Sequence, residues 1–84
     1  MRENIYEKLG GIFRDVFNDE SIIISDSTSS KDIAGWDSLE HANLIASIER
    51  EFGIEFDFDE INKLKNIGEM VNIITNKLGK KDWF

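Results

Sequence analysis

Two stretches of this chain repeat one apolar spacing, and that spacing restricts the fold more than any other feature. His41, Leu44, Ile45, Ile48 and Phe52 fall at offsets 0, 3, 4, 7 and 11. Ile67, Met70, Val71, Ile74 and Leu78 fall at the same offsets. Residues so placed share one face of an α-helix and alternate across no strand. A third stripe, Ile5, Leu9, Ile12, Phe13 and Val16, predicts a helix over residues 3–17. Gly10 and Gly11 weaken it, each by roughly 1 kcal/mol relative to alanine.

Local signals place the ends. Asp37 is a good N-cap, and Glu40 three residues on has the spacing of a capping box. Gly53 is placed to end that helix. Asn66 and Glu69 repeat the cap pattern ahead of the last helix. IEFDFDEI, residues 54–61, alternates like a strand, but with helices on both sides Ile54 and Phe56 read as extended anchors. A short helix is expected from Asp59 to Leu64. The stretch 18–36 is rich in Asn, Asp, Ser and Thr, with Ile22, Ile23, Ile24, Ile33 and Trp36 as apolar anchors. A connection this long carries function or short structure of its own. SIII within it reads as a loop, or as a strand with no evident partner.

The expected architecture is all-α: a small four-helix bundle, three main helices plus a short third one, with a long loop between the first two. Residues 1–84 form a single domain. The tail 80–84, polar and then aromatic, is left open between fraying and docking. With 84 residues the core is modest, and without cysteine no disulfide or thiolate metal site supports it. The charged N-terminus lacks the apolar centre of a signal peptide, and no apolar run spans a bilayer. A soluble, cytoplasmic, monomeric protein is expected.

Seventeen acidic residues against ten basic ones give a net charge of −7, which repels nucleic acid and favours partners with basic patches. An EF-hand is excluded: counted from Asp57, the glycine and glutamate positions hold Asn62 and Gly68. No Gly-rich phosphate loop or zinc spacing is present. His41 lies three residues after Ser38, so a Ser–His pair is geometrically conceivable. A hydrolase also needs an oxyanion site and a cleft, and His41 falls on the core stripe, so a packing histidine is the preferred reading.

Leu39, Ala42 and Ala46 form a second, small apolar set on the same helix, beginning beside Ser38. They read either as good helix formers or as a docking surface. Ser38 reads as a helix-start residue, and also as an exposed hydroxyl where backbone N–H groups favour an attached anion.

GWDSLEHANLI and EFGIEFDFDEI, taken together, resemble the acyl carrier protein family, and the likeness extends over nearly the whole chain. The resemblance implies that Ser38 is the attachment point of 4′-phosphopantetheine, placed by a phosphopantetheinyl transferase from coenzyme A. It implies that Asp37 caps the helix and helps the transferase dock. Leu39, Glu40, Ala42, Asn43, Ala46 and Glu49 become a docking face, with Glu51 adding charge. Leu44, Phe56, Ile61 and Leu64 become an acyl-chain pocket. Such a protein is a carrier and not an enzyme, with no catalytic residue and no metal. Its partners are the transferase and an acyl ligase, acyltransferase or ketosynthase with a basic docking patch. Trp36 and Asn43 depart from the pattern of fatty-acid synthase carriers and suggest a specialised fatty acid, polyketide or related pathway. The alternatives are a peptidyl or aminoacyl carrier, and an unmodified acidic helical interaction module.

Overall fold

A computed structural model describes residues 2–64 and 66–81. Four helices follow one another: α1 (Arg2–Val16), α2 (Ser38–Phe52), α3 (Phe58–Lys63) and α4 (Ile67–Lys81). The three periodic stripes became the three long helices, and α1 packs against both α2 and α4. Ile5, Leu9 and Phe13 of α1 meet Leu44, Ile45 and Ile48 of α2 and Ile67, Met70, Val71 and Ile74 of α4 in one buried cluster. His41 and Phe52, at the ends of the α2 stripe, are half-buried.

The caps came out as expected in part. Asp37 is the N-cap of α2, and Gly53 closes that helix in the left-handed region at φ 66°. The reciprocal half of the box is replaced: Glu40 Oε1 accepts from Asn43 Nδ2 at 2.7 Å, one turn further on. A complete capping box occurs instead at Asp57 and Glu60. It starts α3 at Phe58, one residue earlier than the expected Asp59. Ile54 and Phe56 are buried anchors ahead of it. The Glu60 carboxylate also meets Lys77 Nζ at 2.8 Å, which holds α3 against α4.

The long connection is shaped by bonds to distant residues. Arg14 Nη1 donates to the Ile22 carbonyl at 2.9 Å. The Ile67 and Gly68 N–H groups donate to the carbonyls of Thr28 and Asp26 at 2.9 and 3.0 Å. The loop thus satisfies two of the orphan donors that begin any helix, and Asn66 Oδ1 takes a third, from Glu69 N–H. The approach is close at Gly68, where a Cβ would stand 3.2 Å from the Asp26 oxygen and the loop would have to give by a few tenths of an ångström. SIII is no strand: Ile22 and Ile24 lean on the core while Ile23 is 88% exposed. The isolated bridge in the described residues pairs Ser29 with Asn66.

No helix among the described residues is long and apolar enough to cross a membrane. The expected tail is helical through Lys81; the rest of it, with Trp83 and Phe84, lies outside the described residues.

Candidate functional site

Ser38 is the first residue of α2, and its side chain is exposed. The turn that delivers it is fixed from both sides. Gly35 takes φ 88°, a conformation that side-chain-bearing residues avoid. Asp37 N–H then donates to the Gly35 carbonyl at 2.9 Å. Asp37 is extended, its Oδ1 accepts from Glu40 N–H at 2.9 Å, and its carbonyl accepts from His41 N–H at 2.8 Å. The Ser38 and Leu39 N–H groups have no partner among the described residues. They leave donor capacity and the positive end of the helix dipole beside the serine.

Trp36 anchors this turn. Its ring meets Phe13 edge-on at 5.3 Å and stacks on His41 at 5.9 Å. Its Nε1–H donates to His41 Nδ1 at 3.0 Å. An Nδ1 that accepts leaves the neutral ring's proton on Nε2, so neither nitrogen offers a lone pair to Ser38. The imidazole is a packing and positioning group. A Ser–His hydrolase lacks its base here.

The outer face of α2 is open. Leu39 is 71% exposed, and Ala42, Asn43 and Ala46 are exposed beside it. Glu40 is half-buried and bonded to Asn43. Glu49, assigned to the same face, is half-buried, and its Oε2 accepts from Phe56 N–H at 2.9 Å, fastening the start of α3 to the end of α2. Glu51 points to α1, where it meets Lys8 at 3.6 Å. Sequence reasoning overlooked Arg50. It lies one turn beyond Ala46, exposed and with no ion pair among the described residues; the spacing of four from Ala46 was the available signal.

Leu44, Phe56 and Leu64 are buried, and Ile61 packs against the same cluster. Leu64 also lines a surface groove, with Ser29, Ser30, Lys31 and Trp36. The carboxylates of Asp57 and Glu60, in the stretch where an EF-hand loop was excluded, are engaged in the α3 cap.

Residues 7–74 match the family model described as a phosphopantetheine attachment site. The chain belongs to the acyl carrier protein family. An acyl carrier protein of Thermotoga maritima is 30% identical over 93% of this chain and 96% of its own length. One of Buchnera aphidicola is 35% identical over 96% of this chain and 91% of its own. The solution structure of a holo acyl carrier protein from Geobacter metallireducens superposes with a TM-score of 0.85 at 45% identity, covering 90% of this chain and 87% of that one. The four-helix architecture is therefore that of the family. The protein is a carrier rather than an enzyme, and its prosthetic group is 4′-phosphopantetheine.

Proposed function

We propose that Ser38 is the serine that bears the prosthetic group, and that the outer face of α2 presents it to partner enzymes. One observation carries this reading: an exposed hydroxyl, held at the start of a capped helix, beside two N–H groups that have no partner among the described residues and can receive an anion. The site fits the group without rearrangement of the cap. When bound, the group supplies a terminal thiol that holds an acyl cargo as a thioester, chemistry that a chain without cysteine lacks.

Asp37 holds the helix start and offers its second carboxylate oxygen to a transferase. Leu39, Ala42 and Ala46 form the apolar centre of the docking face. Asn43 and Glu40 act as one bonded polar pair on its edge. Arg50 makes the far end of the face positive. The partner surface that fits is an apolar pocket with basic residues toward Glu40 and an acceptor for Arg50, not a uniformly basic patch. This supports a dedicated carrier, consistent with Trp36 and Asn43, serving an acyl ligase, acyltransferase or ketosynthase of a specialised fatty acid or polyketide pathway in the cytoplasm. A cargo chain that enters the core does so by parting Leu44, Phe56, Ile61 and Leu64.

The test is an intact mass after incubation with coenzyme A, magnesium and a broad-specificity phosphopantetheinyl transferase. The expected result is one phosphopantetheine on the wild type and none on a folded Ser38→Ala variant. Loading of Ser38→Ala would move the site elsewhere. Failure of a native wild-type sample, beside a working control carrier, would refute the assignment.

A further inference from the structure

Ile23, on the long connection, is 88% exposed, more than Leu39 of the docking face at 71%. Its backbone is nevertheless held on both sides. Ile22 and Ile24 pack against the core, and the Ile22 carbonyl accepts from Arg14 Nη1 at 2.9 Å. Asp19 N–H donates to the Arg14 carbonyl at 3.0 Å, and Asp19 Oδ1 accepts from both the N–H and the hydroxyl of Ser21. An apolar side chain presented on a fixed backbone loses little freedom when a partner covers it.

A groove of about 370 Å³ opens beside it, with Ile22, Ile33 and Ala34 as apolar lining and the carboxylates of Asp19 and Asp32 at its edge. The hydrogen bonds from Ser21 hold Asp19 below the usual carboxylate range, so its charge persists at neutral pH. Within residues 18–36, Asp19, Glu20, Asp26 and Asp32 stand against Lys31 alone. An apolar anchor amid surplus acid suits a protein surface with an apolar pocket and a basic rim.

Position says which partner brings that surface. Ala34 lies four residues before Ser38, so their Cα atoms are at most about 15 Å apart. Ala34, Gly35, Asp37, Ser38 and Leu39 are all exposed and join the groove to the docking face. An enzyme acting on the thiol at the far end of an arm need not approach this turn. The transferase must, because the hydroxyl itself is its substrate. A standard interface covers roughly 800 Å² on each partner, a disc of about 16 Å radius. Centred on Ser38, that disc reaches Ala46, about 12 Å along α2, and reaches the groove on the loop side.

We propose that Ile23 and its groove are a second docking surface, used by the phosphopantetheinyl transferase, whose apolar pocket covers Ile23 while basic side chains meet Asp19 and Glu20. The inference rests on Ser38 as the attachment site.

The experiment follows loading of the full chain by the broad-specificity transferase, with coenzyme A and magnesium, by intact mass, and locates the group by fragmentation. Ile23→Ser is expected to keep the wild-type Tm, because the side chain is exposed. It is expected to lower kcat/KM by about five- to thirtyfold through KM, the loss that truncation of an interface anchor produces. Glu20→Lys is expected to lower kcat/KM at low salt, with the loss shrinking as salt rises. On the isotopically labelled, unloaded protein the transferase is expected to shift amides at residues 19–24 and 32–34 as well as along α2. Loading of Ile23→Ser on Ser38 at the wild-type kcat/KM, or shifts confined to α2 and its cap, would overturn the second surface and leave the attachment site standing. A group on another residue, or none on the wild type, would overturn both.

Discussion

Replacing Asp37 distinguishes a residue that holds the helix from one that a transferase reads. Glu40 does not close the capping box, so the acceptor from the Glu40 N–H is Asp37 Oδ1. Removing such a cap costs about 1 kcal/mol, and losing a carboxylate at a helix start a further 0.3–1 kcal/mol or so at low salt. For 84 residues the unfolding entropy is about 0.18 kcal/mol/K, so Asp37→Ala is expected to lower Tm by about 7–11 °C. Asp37→Asn keeps an acceptor oxygen and loses only the charge, which corresponds to about 2–6 °C. Thermal unfolding followed by circular dichroism reads both. At about 1 M salt, where the screening length falls to about 3 Å, Asp37→Asn is expected to approach wild type while Asp37→Ala stays low. An alanine variant with wild-type Tm would refute the cap as the hold on α2. An asparagine variant as unstable as alanine at high salt would refute the hydrogen bond as its means. With the fold intact, Asp37→Asn is expected to load more slowly than wild type; equal loading would leave Asp37 a cap and nothing more.

Gly11→Ala is expected to stabilise the protein by about 0.5–1 kcal/mol, read as a higher urea midpoint, because α1 gains helix propensity and a Cβ there meets nothing within 4 Å. Asp19 Oδ1 accepts from both the N–H and the Oγ of Ser21, which holds its carboxyl below the usual 3.8. A depressed folded value means the contribution is present above 3.8 and lost as pH falls through the lower folded value. A carboxyl titration by NMR is expected to show that midpoint, and Ser21→Ala to raise it; a midpoint at or above 3.8 would refute the bond. Arg50→Glu is expected to raise kcat/KM for loading by a transferase with a basic docking patch, with the gain erased by salt. An unchanged rate at low salt would remove Arg50 from the docking face.

The long helices were legible because burial writes itself into the sequence at period 3.6, and Asp37 and Gly53 because caps act within one turn. What escaped depended on competition or distance. Glu40 has two partners within one turn, the helix start and Asn43, and the sequence does not rank them. Asp57 was read as part of an alternating run because the same residues satisfy both an extended segment and a capping box. Glu49 looks like surface charge until the backbone of Phe56 arrives seven residues later. The path of the loop rests on Thr28 and Asp26 carbonyls meeting the start of α4 some forty residues away, and no local pattern marks a backbone acceptor.

The single histidine shows how the site divides its labour. A serine that waits for a transferase must be reachable yet inert, since a hydroxyl with a base beside it is an activated nucleophile before any partner has docked. His41 is three residues from Ser38 and is the chain's one imidazole. Its Nδ1 is occupied by the Trp36 indole, and through Trp36 it braces the turn that aims Ser38 outward. The same contact withholds a base and supplies a support. On the proposed assignment of Ser38, the hydroxyl reacts only when a partner enzyme brings the base with it, and control of loading falls to the docking face rather than to the bundle.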